Sequence, residues 1–191
     1  MAYWVNFFMQ ILSGILSSLI VIFLWIAIYR SAGGKVIGGY TLAEMITYFM
    51  GGGLINTFVL TTAENPETSQ NIQDGILSFL FLQPVSPYGI WLIRDFGGKA
   101  FYFFLGLVGY TAVSLVFREY LIVASSPWAF LAFFISIFLA ALLHFLFFEA
   151  LSLLSFWIEN TYGLRFTMRV ILEVPGGTII PLSFFPGFLS R

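Results

Sequence analysis

His144 is the only histidine in the chain, and Glu149 follows it five residues later in an otherwise apolar run. An imidazole near a carboxylate can relay protons, and an ionisable group inside a membrane is a functional candidate by default. A spacing of five does not stack two side chains on one helix face as a spacing of three or four does. His144 therefore has two readings: a hydrogen-bonding residue within a helix bundle, with Glu149 near the water interface, or half of a proton relay with Glu149. Arg169 and Glu173 are four apart, the spacing of a helical ion pair, and pairing lowers the cost of holding both charges in lipid. Contact with a substrate is their alternative role. Glu44 reads as a cap or interfacial anchor of its helix. Glu44, His144, Glu149, Arg169 and Glu173 together form the candidate intramembrane polar path.

Other chemistries are excluded more firmly. A phosphate-binding loop needs G-x-x-x-x-G-K-[ST]. The stretch DFGGKA at 95–100 has the Gly-Lys pair, but no glycine five residues before the second one and no hydroxyl after the lysine. If the chain takes part in ATP-driven transport, ATP is therefore bound and split by another polypeptide, and no cofactor is expected on this chain. No G-x-S-x-G occurs, so a hydrolytic triad is not expected and no catalytic residue is assigned. The absence of cysteine excludes disulfides and thiolate chemistry, and a single histidine argues against a metal site. A net charge of −1 argues against nucleic acid, whose phosphates call for a basic surface.

The composition says what solvent these residues meet. Of 191 residues, 60% are hydrophobic and 9% charged, with a mean hydropathy of +0.96. A soluble domain carries about 25% charged residues. There is too little polar surface here to coat a globule in water, so an all-α polytopic membrane bundle is expected, with lipid around it. The 24 Phe, 9 Tyr and 5 Trp fit lipid-facing bulk and interfacial belts.

A hydrocarbon core of about 30 Å takes roughly 20 helical residues to cross. Spans are expected near 7–29, 42–60, 99–117 and 128–156, with a broken apolar segment at 166–189. The first is uncharged, and Ser13, Gly14, Ser17 and Ser18 give it a patch where another helix can approach closely. It is too long for a signal-peptide core and is retained as a span. The second is weak in lipid, because it contains Glu44, Asn56 and Gly51-Gly52-Gly53; the glycines point to tight packing or a bend. The segment at 166–189 holds Pro175, Gly176, Gly177, Pro181 and Pro186, which one straight helix cannot accommodate. Irregular backbone at membrane depth survives only against protein or a water-filled cavity, so a bent span or a re-entrant hairpin is expected. With a cytoplasmic N-terminus, the 61–95 connection and the 159–165 turn are cytoplasmic too. Arg94, Lys99, Arg165 and Arg169 on that side balance Arg30, Lys35, Arg118 and Arg191 on the other, so charge bias does not decide the orientation.

The 61–95 connection is the oddest stretch. Asn65-Pro66-Glu67 reads as a helix start. Gln73-Asp74-Gly75 is a turn, 76–82 is an apolar patch too short to span, and Pro84 and Pro87 stop it. Such a piece can lie in the membrane interface or fill a groove on a partner.

IQDGILSFLFLQPVSPYGI, the upstream GGYTLAEMITYFM, and the downstream FWIENTYGL with GGTIIPLSFFPGFL together resemble the permease subunit of type-2 ABC exporters, in particular the small bacterial permeases of about six spans. The match rests on Asp74, Gly75, Leu77, Leu80, Leu82, Pro84, Val85 and Ser86, and on the late IPLSFFP at 180–186. The resemblance implies that these eight residues belong to a coupling element that docks on a separate ABC ATPase. It implies that 175–186 is an extracytoplasmic re-entrant region, and that two permease subunits, like or unlike, pair in a bacterial inner (plasma) membrane. Measured against that pattern the chain is short at both ends, which implies a truncated or short form. The function expected is that of an export permease subunit driven by a partner ATPase. A proton-coupled carrier, or a non-transporting permease fragment or scaffold, is the alternative.

Overall fold

The computed structural model describes residues 2–61, 66–122, 126–173, 176, 177, 181 and 184. Among them every regular element is helical: α1 Ala2–Ser31, α2 Leu42–Val59, α3 Glu67–Gln73, α4 Leu77–Leu80, α5 Pro87–Val116, α6 Pro127–Ser152 and α7 Tyr162–Glu173, with single 3-10 turns at Arg118–Tyr120 and Leu153–Phe156. The all-α membrane bundle read from composition is the fold observed. Three helices among the described residues are long and apolar enough to cross a bilayer: 12–31 within α1, 87–116, and α6 with its 3-10 extension to Phe156.

α2 is not in that set, and the reason is its sequence. Glu44, Asn56 and three consecutive glycines dilute its 18 residues, so it depends on protein neighbours for burial. It packs against α1, α5 and α6. Its start is fixed by a capping box: the Thr41 backbone N–H donates to Glu44 Oε2 at 2.8 Å, and the Glu44 N–H donates to Thr41 Oγ1 at 3.4 Å. Two orphan donors of the first turn are thereby satisfied reciprocally. The core between α1, α2 and α5 is built on Ile22, Ile46, Met50 and Val113, all buried. At Gly53 a Cβ would collide with the Tyr110 hydroxyl of α5, so this glycine serves close helix approach. Gly51 and Gly52 face open space instead.

The third span differs most from its expected limits. It begins at Pro87, not at residue 99. Pro84 and Pro87 were expected to stop the upstream patch, but Pro87 occupies the first turn of α5, where its missing N–H costs nothing and its fixed φ suits the helix. Arg94, Asp95 and Lys99 therefore lie inside a 30-residue helix and not on a loop and its edge. Pro66 likewise sits at the cap position and Glu67 opens α3; Asn65 lies outside the described residues.

The chain alternates between two ends. α3 packs on the 153–156 turn and on α6, and Gln73 Nε2 donates to the Glu159 carbonyl. The 61–95 connection and the 159–165 turn thus meet at one end of the bundle. The loop at 32–41 and the Arg118–Tyr120 turn flank the opposite ends of α1 and α5, where Thr47 Oγ1 donates to the Tyr120 carbonyl at 3.2 Å and accepts from the Ile122 N–H at 2.9 Å.

Candidate functional site

The end that gathers α3, α4 and the starts of α5 and α7 carries two features that could do work. The first is the short stub. Asp74 closes α3 and Gly75 follows with φ +71, the left-handed conformation that favours glycine after a helix end. The Gly75 N–H donates to the Ile72 carbonyl at 3.2 Å. The chain then makes α4, one turn of four residues with none buried, and reaches Ser86 before α5. Phe79, Phe81, Leu82 and Val85 are exposed, Leu82 at 83%. The apolar patch expected at 76–82 is a single helical turn with a turn after it, and the chain itself does not cover it.

The second feature is a buried polar joint where α3, α5, α6 and the approach to α7 meet. The side chain of Lys99 is fully buried. It pairs with Asp95 one turn earlier and lies 3.4 Å from His144 Nδ1 on α6. Thr68 Oγ1 of α3 donates to Glu149 Oε1 at 3.0 Å. Its neighbour Ser69 accepts from Thr161 Oγ1 at 2.9 Å, and Thr161 is 3.4 Å from Ser155 Oγ. Glu67, the residue before, pairs with Arg94 of α5. Three successive residues of α3 are thus fastened to α5, to α6 and to the segment that leads into α7. Arg165 on α7 is 2% exposed; its Nη1 donates to the Phe148 carbonyl at 3.3 Å and to Ser152 Oγ, and its guanidinium sits 5.5 Å from the Phe148 ring centre. Burying these charges is tolerable because each has such partners.

His144 and Glu149 both line one small cavity at this joint despite their spacing of five. They reach it by different partners, His144 toward Lys99 and Glu149 toward Thr68, and not by sharing a helix face. Glu149 is packed against α3 and not left at an open interface. Arg169 Nε and Glu173 Oε2 are 4.0 Å apart, the expected helical pair, and Glu173 Oε1 also accepts from Asn56 Nδ2 at 3.1 Å. Glu44 caps α2 at the bundle's other end. The structure therefore gathers His144 and Glu149 in one place, sets Arg169–Glu173 beside α2, and leaves Glu44 apart from both. Of the residues expected in a re-entrant segment, Gly177 is buried, with its carbonyl accepting from Tyr48 Oη at 2.7 Å, and Pro181 is buried too. A Cβ at Gly38 would run into the Phe184 ring. Gly176 is exposed, while Pro175 and Pro186 lie outside the described residues.

Asp95, Lys99, Thr68, Ser69, Thr161 and Arg165 are the residues that sequence reasoning did not place in a site. The spacing of four between Asp95 and Lys99 was a legible signal of a helical pair. The hydroxyls carried none, because their partners are 81 and 92 residues away. A larger apolar cavity of about 1000 Å³ opens between α2, α5, α6 and α7; Gly51, Gly52 and Asn56 line it on one side, Phe130, Phe133 and Leu172 on the other.

The described residues thus form a helical membrane bundle with an uncovered apolar stub between α2 and α5. The family model described as ABC-2 family transporter protein matches residues 15–191, and the chain belongs to that family. It is a permease of an ABC-type transport system, and the family implies association with an ABC ATPase. Membrane subunits of this family are generally not ATPases themselves. No curated protein and no solved structure matches the chain.

Proposed function

We propose that this permease works in export and that a separate ABC ATPase drives it by docking on the stub formed by Asp74, Gly75, Leu77, Leu80, Leu82, Pro84, Val85 and Ser86. One observation carries the reading: the apolar side chains Phe79, Phe81 and Leu82 stand exposed on an element too short to span, in a chain with no phosphate-binding loop. An exposed apolar patch of this kind fits a groove on a partner. ATP is bound by that partner, and this chain contributes no catalytic group. Force on α4 reaches the long helices through α3, whose Glu67, Thr68 and Ser69 hold it to α5, α6 and the approach to α7.

Two permease subunits form the path, in the inner (plasma) membrane of a bacterium. The exposed Ser13, Gly14 and Ser17 of α1 support a close helix contact between them. The test is copurification. Phe79→Asp with Leu82→Asp alters only exposed positions, so the variant should keep its thermal stability and lose the co-expressed ABC ATPase. Retention of the ATPase and of ATP-driven export by a folded variant would overturn the docking role.

A further inference from the structure

The cavity shared by His144 and Glu149 has a volume of about 20 Å³ and is lined also by Thr68, Trp91, Arg94, Asp95 and Arg165. His144 Nε2 and Glu149 Oε2 are both buried and make no hydrogen bond within the protein. Leaving a buried donor or acceptor unsatisfied costs about 1–3 kcal/mol, so each such atom calls for a partner.

The chemistry of the neighbours says what kind of partner. An ammonium has three N–H donors and no lone pair. As an ammonium paired with Asp95 and 3.4 Å from His144 Nδ1, Lys99 can therefore only donate to that nitrogen. Nδ1 is then the acceptor of a neutral imidazole, and the ring proton is on Nε2. His144 lines the cavity, and its Nε2–H is a buried donor that no protein group meets. Glu149 lines the same cavity; its Oε1 is occupied by Thr68, and its Oε2 is a buried acceptor with no protein partner. The volume admits one water, which needs about 10–15 Å³. A metal cation does not fit the donor set: the unpartnered ring nitrogen carries its proton, and among the described residues no three His, Cys, Asp or Glu side chains are grouped to hold one.

We propose that the cavity is a binding site for a single water molecule, which accepts from His144 Nε2–H and donates to Glu149 Oε2. The water completes the second oxygen of the carboxylate whose first oxygen seats α3. It is thus part of the joint between the stub and the long helices. That mechanical consequence rests on the coupling reading above; the water site itself does not.

Because the chain has one histidine, labelling histidine with nitrogen-15 gives a single imidazole to observe. Magic-angle-spinning NMR of the chain alone, in lipid bilayers at neutral pH, reads the tautomer, and magnetisation transfer from water reads the contact. The expected result is an Nε2-protonated, Nδ1-bare ring whose Nε2–H receives magnetisation from water. An Nδ1-protonated ring, a doubly protonated ring, or an Nε2–H dry to water would overturn the site. Lys99→Met supplies the second arm: with its donor gone, the ring should populate both tautomers, and an unchanged spectrum would overturn the assignment of Lys99 as the group that fixes it. No ATPase is present in the sample, so this experiment can fail while the docking reading stands, and the reverse.

Discussion

Arg165 is the residue whose loss should be felt most. It is a buried cation bonded to the Phe148 carbonyl and to Ser152, and it also covers the Phe148 ring. Arg165→Ala removes the charge and strands those acceptors, so a loss of about 3 kcal/mol is expected, read by thermal unfolding in detergent. Arg165→Lys restores charge without the planar fork and should recover only part of it. Thr68→Val keeps shape but leaves Glu149 Oε1 without its donor, for a cost of about 1–3 kcal/mol; Thr68→Ser, which keeps the hydroxyl, should cost well under half of that. At this scale the sequence was half legible. The Arg169–Glu173 pair and the Glu44 cap follow from spacing alone. Lys99 reads from the sequence as the first residue of a span at 99–117, whereas it lies inside α5, paired with Asp95 and 3.4 Å from His144 Nδ1. The pairings of Thr68 and Ser69 with distant residues have no local signature.

The glycines of α2 behave differently although they are consecutive. A side chain at Gly53 meets Tyr110 of the neighbouring helix, whereas one at Gly52 meets open cavity. Gly53→Leu should therefore destabilise the fold by about 1–3 kcal/mol, and Gly52→Leu should be tolerated or mildly stabilising, since leucine is also the better helix former. Parallel melting curves of the two variants check this, and equal losses would contradict the packing described. Element types were the most readable level: apolar length gave the long helices, and the polar content of α2 marked it as dependent on neighbours. The start of α5 was misplaced because a proline after an apolar patch reads equally as a stop or as the first residue of a new helix. The choice is made only by the 30-residue run that Pro87 opens. The break after α7 was visible as prolines and glycines, and Gly177 bonded to Tyr48 gives it one fixed point on α2.

The whole molecule is a bundle in which most of the long helices' apolar surface faces outward, as on α6 with Phe134, Phe138, Leu139 and Leu143 exposed. In water such a surface would drive aggregation; in lipid it is solvated. The polar joint sits at one end of that bundle, next to the stub, so the place where energy would enter is also the place where the helices are tied together. The central claim is that an ABC ATPase touches the stub. The chain has no cysteine, so Leu82→Cys gives one reactive thiol at an exposed position. Cross-linking that thiol in membranes containing the co-expressed ATPase should yield a covalent permease–ATPase adduct that Ser13→Cys, on the exposed side of α1, does not. An ATPase-free stub, labelled from outside intact cells or shielded by lipid alone, would contradict the account.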